Sequence, residues 1–182
     1  MEEVAQVLRR LQIENGIDLE KLRDNDVFLD TLLGATQVAM RNSSETKRKA
    51  LRNALQNSAL PHAPDESRQQ LFVHWVDIST VWHLQILAVL ASPTKWFANR
   101  GRQPPQFAIT SSLWQLLTLA FPELSQEQEL CDLIAEDLFA RGLINTQGLR
   151  TTMSGSGAMA KRATELGNQF LKFISIPAMC RQ

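Results

Sequence analysis

The residues able to do chemistry are few and scattered. His74 and His83 lie nine residues apart, on opposite faces of any continuous helix, and His62 sits in a proline-bounded link. Asp77, three residues after His74, could orient that imidazole, and a break near Ser79 would be needed to bring His83 to the same place. The expected role of the His74–Asp77 pair is a structural hydrogen bond. Cys131 and Cys180 have neither metal-ligand spacing nor the pattern of a disulfide framework. No His-Glu-x-x-His, Cys-x-x-Cys or Gly-x-Ser-x-Gly pattern occurs. SGSGAMAK at 154–161 lacks the Gly-Lys-Ser/Thr ending of a phosphate loop, so Gly155 and Gly157 are read as a turn needing positive φ. The expectation is a non-enzymatic protein with no catalytic residues, no cofactor and no metal.

Charged and aromatic side chains point instead to binding. Arg150, Lys161 and Arg162 flank the polar, glycine-punctuated segment LINTQGLRTTMSGSGAMAKRA, and Lys95, Arg100 and Arg102 fall in a loop with no nearby acid. These six are the candidate contacts to a nucleic-acid backbone. The opposite sign gathers on a helix expected over 127–141. At 100° per residue Leu130, Leu133, Ile134 and Leu138 cluster on one side, so Leu133 and Ile134 are expected in the core. Glu129, Asp132 and Glu136 lie nearly opposite, with Glu127 and Asp137 on the flanks. Such a face repels phosphates, whose neutralisation supplies most of the free energy of nucleic-acid binding. It is read as a surface for a protein partner, with Trp96 and Phe97 as an exposed aromatic pair beside the basic loop. Lys plus Arg and Asp plus Glu number 19 each, so net charge gives no support to a nucleic-acid binder.

The elements that must position these groups are mostly helical. Val4, Val7, Leu8 and Leu11 repeat at i, i+3, i+4, i+7, and Asn15-Gly16 ends that helix. A helical turn is expected at 18–23. Asp24 or Asn25 then caps a longer helix on which Leu29, Leu32, Leu33, Thr36 and Met40 share a face. A serine cap at 43–44 starts a third helix with Leu51, Ala54, Leu55 and Ser58 inward, and Lys49, Arg52, Asn53 and Gln56 on its other side. The apolar stretch 67–90 breaks at Asp77–Thr80. Pro104-Pro105 marks a loop, and Thr110 or Ser111 caps a helix with Leu113, Leu116, Leu117 and Ala120 inward. Gly142 closes the acidic helix, Leu143-Ile144 enters a hairpin over about 143–163, and TELGNQFLKFI begins the last helix, stopped by Pro177.

That order fits a winged helix, with 80–90, 111–121 and 126–141 as its three helices and 143–163 as its wing. The expected fold is mainly α: an N-terminal helical bundle (1–78) packed on a C-terminal winged-helix-like unit (79–176) with one short β-hairpin, then a tail (177–182). No apolar run approaches the ~18–20 residues that span a bilayer, and MEEVAQVLRR is unlike a secretory signal, so a cytoplasmic location is expected.

KRKALRNALQNSALPHAPDESRQQLFVHWVDISTVWHLQILAVL and TELGNQFLKFI resemble uncharacterised bacterial helical proteins with a C-terminal winged helix, nearest the abortive-infection alpha-type family. The likeness covers about 47–174. It implies a helical segment before a winged helix and a place in phage defence, and it brings no catalytic residues. The combined expectation is a protein-protein interaction module that self-associates through its N-terminal helices. Its partner surface would comprise Glu129, Asp132, Glu136, Trp96 and Phe97, with no membrane and no small-molecule substrate. The alternative is a regulator that contacts nucleic-acid backbone through the wing and the 95–102 loop.

Overall fold

The structure is a computed structural model that describes residues 2–15, 17–107 and 110–177, with some side chains of the first helix left out. The expected inward place of Val4 and the role of Cys180 lie outside the described residues. The protein is mainly α with one small antiparallel sheet. Its chain divides into two compact units, 1–81 together with the chain from Gln169 onward, and Trp82–Asn168. Among the described residues no single helix is long and apolar enough to cross a membrane.

The first unit holds α1 (Glu2–Asn15), α2 (Leu19–Arg23), α3 (Asp26–Arg41), α4 (Glu45–Ser58), α5 (Glu66–Ile78) and the end of α11 (Glu165–Phe173). Side-chain oxygens satisfy the orphan amides where these helices start. Asn25 Oδ1 accepts from Phe28 N at 3.0 Å, Ser44 Oγ from Lys47 N at 3.4 Å and Asp65 Oδ1 from Arg68 N at 3.1 Å. On α4 the expected Leu51, Ala54, Leu55 and Ser58 are all buried. On its other side Lys49 is exposed, Gln56 is buried, and Arg52 and Asn53 are half-buried. Asn53 Nδ2 donates to Ile174 O at 3.0 Å, and Asn57 Nδ2 donates to Phe173 O and Ser175 O, each at 2.8 Å. Those amides take up carbonyls that the end of α11 leaves without intrahelical partners. Phe170 and Phe173 close the core on Phe72, with ring centroids at 5.5 and 5.7 Å, and Phe170 meets Trp75 edge-on at 5.6 Å.

Helix α3 turns the other way from the sequence reading. Phe28, Thr31, Ala35 and Val38 are buried, whereas Leu33 is 59 % and Met40 85 % exposed. Two stripes at helical spacing overlap on this helix, and only one can face the core. The buried stripe has the aromatic ring that joins Val7, Leu11, Leu22 and Leu55, and its Thr31 Oγ1 donates to Gln69 Oε1 at 2.8 Å. That polar pair needs to be sheltered together, and the leucine stripe offers it nothing.

The second unit holds α6 (Val81–Ala91), α7 (Pro93–Ala98), β1 (Thr110–Ser111), α8 (Leu113–Ala120), a 3₁₀ turn at Pro122–Gln126, α9 (Gln128–Ala140), β2 (Met153–Ser154), α10 (Gly155–Ala158) and the start of α11. Helix α6 is buried on nearly every side, through Leu84, Ile86, Leu87, Val89 and Leu90, and serves as the central pillar. Helix α8 buries Leu113, Leu116, Leu117 and Ala120 as its spacing requires. Its cap is Ser112, whose Oγ accepts from Gln115 N at 3.3 Å, because Thr110 and Ser111 are committed to β1.

Helix α9 buries Cys131, Ile134, Ala135 and Leu138. Leu133, expected inside, is 63 % exposed. Cysteine and alanine bring the helix backbone close to its neighbours, and a reading weighted by side-chain size overlooks them. Gly142, at φ +70°, ends the helix: its N–H donates to Phe139 O at 2.8 Å, and Leu143 N donates to Leu138 O at 2.9 Å. These two bonds are the Schellman pair, and Leu143 then plunges into the core.

Segment 143–163 is more than the simple hairpin expected. Its ends do meet, in an antiparallel bridge between Ile144 and Ala163, with Asn145 N donating to Arg162 O at 2.8 Å. Between them the chain pairs with β1 instead of with itself, Thr110 opposite Ser154 and Ser111 opposite Met153. Gly155 and Gly157 lie in α10 with negative φ, so the expected positive-φ turn is absent there. A Cβ on Gly155 would stand 2.8 Å from Phe107, so close approach explains that glycine. The same holds more strongly at Gly167 in α11, where a Cβ would come within 2.1 Å of Leu143 O.

Candidate functional site

The outer face of α9 is where the expected partner-binding carboxylates gather, and the structure sorts them by what they already hold. Asp132 is ion-paired with Arg150, whose guanidinium also donates to the Gln128 amide oxygen, Nε at 2.7 Å. Asp137 is engaged on both oxygens. Arg141 Nε donates to Oδ1 at 3.1 Å and its Nη2 lies 2.5 Å from Oδ2, while His83 Nε2 lies 3.0 Å from the same Oδ2. Burial pushes the His83 imidazole below its ordinary pKa of 6.5 and Arg141 adds to that shift, against the pull of Asp137. Glu129 and Glu136 remain exposed, with Leu133 between them at i+4 and i−3 and Leu130 beside it. The face is therefore narrower than expected: two carboxylates around an exposed leucine.

The expected aromatic pair is inside. Trp96 and Phe97 are 7 % and 2 % exposed and pack edge-on at 5.1 Å, and Trp96 packs on Phe121 at 5.1 Å. The reason is α7. Pro93 stands at its first helical position, and the turn it starts folds both rings inward.

Of the six candidate cations, four make contacts within the chain, Arg100 among them through a hydrogen bond of 3.5 Å to Trp96 O. Arg102 donates to the carbonyls of Ala120 at 3.0 Å and Leu119 at 2.6 Å, which caps the C-terminus of α8. Arg162 Nη2 donates to Gly157 O at 2.9 Å and lies against Met153 Sδ. Arg150 belongs to Asp132 and Gln128. Arg100 is exposed with its guanidinium stacked 3.9 Å from the centre of the Trp96 ring, a cation–π contact. Lys95 and Lys161 are exposed and form no ion pair among the described residues.

Asp77 and His83 each hold a partner within their own unit. Asp77 holds Arg41 Nη2 at 2.6 Å, and its backbone carbonyl accepts from Lys47 Nζ at 2.6 Å, so it ties α3, α4 and α5 together. His74 is exposed, and His83 is committed to Asp137. Burial pushes the Lys47 amine down, and it is otherwise a structural donor. Among the described residues no three His, Cys, Asp or Glu side chains are grouped to hold a metal ion. What sequence reasoning missed is that the apolar stripe of α3 faces outward, and that a cavity is lined partly by α3 and α4. The stripe had a signal, two competing sets of helical spacing, whereas the cavity had none.

The chain matches no known family model, no curated protein and no solved structure.

Proposed function

We propose that this protein is a non-enzymatic interaction module built on a winged-helix unit, and that the outer face of α9 receives a protein partner. The element order supports the winged-helix reading: α6, then β1, α8 and α9, then a segment that pairs with β1 and with itself before α11. The observation that carries the functional reading is Leu133, exposed between Glu129 and Glu136 on a helix with no Lys or Arg from Gln128 to Ala140. A groove-reading helix puts Arg, Lys, Asn or Gln at such positions. The matching occupant is a partner segment with an apolar side chain flanked by Lys or Arg. Covering the exposed part of Leu133 contributes roughly 1–2 kcal/mol, a share of the value for a whole leucine.

A photo-crosslinking side chain at position 133, compared with one at position 161, identifies what lies against each. The expected product at 133 is a protein adduct, and the reconstituted complex weakens about tenfold with Leu133→Ala. A nucleic-acid adduct at 133, or a complex indifferent to Leu133→Ala, overturns this reading.

The same proposal assigns the outside of α3 to a second copy of the chain. Leu29, Leu33, Thr36 and Met40 recur at the spacing of a coiled-coil seam, with Asp26 and Asp30 exposed at one end and Arg41 at the other. An antiparallel copy would lay the two seams together, while Arg41 keeps its partner Asp77. Light scattering should show a dimer at high micromolar concentration that Leu33→Glu dissociates, and a strict monomer rules it out. Backbone binding to nucleic acid through Lys95, Arg100 and Lys161 is the second reading, favoured by the outward position of those three cations.

A further inference from the structure

The first unit contains a cavity of about 490 Å³, within the size range of small-molecule sites. The buried residues of its lining are apolar, Val7, Ala35, Leu51 and Leu55, and the half-buried Ala39 joins them. Among the described lining residues every charged one is an arginine: Arg41, Arg48 and Arg52. Arg41 is held by Asp77, outside the cavity lining. Arg48 and Arg52 both reach Glu45, Arg48 Nη2 at 3.2 Å, yet Glu45 is 64 % exposed and does not line the cavity. One carboxylate cannot satisfy the five N–H donors of a guanidinium. Arg48 Nε is buried and donates to nothing, a state that native structures seldom tolerate without a purpose.

We propose that this cavity binds an amphipathic carboxylate, with a medium-length hydrocarbon body against Val7, Ala39, Leu51 and Leu55 and its anionic head accepting from Arg48. Beside Thr36, Asn42 and Ser43 a cation would meet three arginines and no carboxylate among the described lining residues, and a neutral alcohol would leave the Arg48 donor poorly served. The bound head takes a charge-assisted hydrogen bond from the Arg48 guanidinium, whose donors Glu45 alone does not fill. The site lies in the first unit and does not rest on the α9 reading.

Calorimetric titration of the full chain with decanoate, below its micelle concentration, tests the assignment against acetate and decyltrimethylammonium. Decanoate should bind saturably at one per chain, and the other two should not. Arg48→Gln keeps a polar side chain at a partly exposed position and should weaken decanoate by about tenfold, the loss of one charge-assisted bond. Ala39→Met narrows the cavity from a half-buried position and should weaken it also, with circular dichroism confirming an unchanged fold. Equal binding of decanoate and decyltrimethylammonium, no saturable binding, or indifference to Arg48→Gln would overturn the proposal. Thr36 and Met40 line the cavity and also belong to the α3 stripe, so Leu33→Glu separates the two ideas. It should abolish any dimer and leave decanoate binding intact. Loss of binding in Leu33→Glu would place the site between copies and refute a single-chain site.

Discussion

Replacing Gly167 by alanine sets two physical effects of opposite sign against each other. Gly167 lies inside α11, where the intrinsic preference for alanine over glycine predicts stabilisation by about 1 kcal/mol. Packing predicts the reverse. A Cβ at this position would stand 2.1 Å from Leu143 O and 3.1 Å from Leu143 C, backbone atoms that cannot rotate away. An ordinary contact needs more than a further ångström, so α11 would have to back off from the segment that carries Leu143. That segment is held: Leu143 O accepts from Thr164 N at 3.0 Å, Leu143 N donates to Leu138 O at 2.9 Å and Ile144 bridges Ala163. Breaking the Thr164 bond and opening the buried Leu143 contact should cost roughly 3–5 kcal/mol, in the class of severe overpacking. Urea unfolding followed by tryptophan fluorescence reads the difference as a fall in midpoint at unchanged slope. Gly142→Ala is the companion variant. Its φ of +70° with nothing within 4 Å predicts a backbone cost of only about 1–2 kcal/mol. A midpoint for Gly167→Ala equal to or above the parent's would refute the close approach of α11 to Leu143.

Helix α9 offers a second contrast. Ile134→Ala should destabilise by roughly 2–5 kcal/mol as a cavity in the core, and Leu133→Ala by no more than about 0.5 kcal/mol, measured in the same urea assay. The His83 site predicts a pH dependence. Its pKa is lower in the folded protein, so the unfolded chain takes up the proton first and stability falls as pH drops through 6.5 and below. Unfolding midpoints taken between about pH 7.5 and about pH 5.5 should show this component, and His83→Gln should remove it. For the nucleic-acid reading, three outward cations limit the salt dependence: log K against log salt should have a slope no steeper than about −3, and Lys161→Ala should reduce it by about 0.9. A steeper slope in filter binding would mean that Arg102, Arg150 or Arg162 leaves its internal partner.

Local rules were legible wherever the physics is local. Asn25 and Ser44 act as caps because the donors they satisfy lie within three residues, and Gly142 ends α9 for the same reason. Helix faces were legible only where a single apolar stripe existed, as on α4 and α8. On α3 and α9 two stripes compete, and the choice depends on neighbours far along the chain: Gln69 for Thr31, and tight packing around Cys131 and Ala135. Among candidate site residues, Glu129 and Glu136 stay exposed. Arg102 could not be read correctly, because its acceptors at Leu119 and Ala120 are 17 and 18 residues away. Trp96 and Phe97 carried a readable signal, Pro93 at the start of a helix, but the flanking cations suggested an open loop.

The first unit is synthesised in two parts. Residues 82–168 interrupt the first unit in sequence, and the rings that seal its core, Phe170 and Phe173, belong to the chain beyond that interruption. As the chain leaves the ribosome, the interrupting segment can complete its own set of helices while Phe72 and Trp75 still lack their aromatic partners. The part made first is therefore finished last. Over that interval the nascent chain presents an unsealed aromatic surface, the kind that chaperones recognise. A chain cut after Asn168 should stay in that condition.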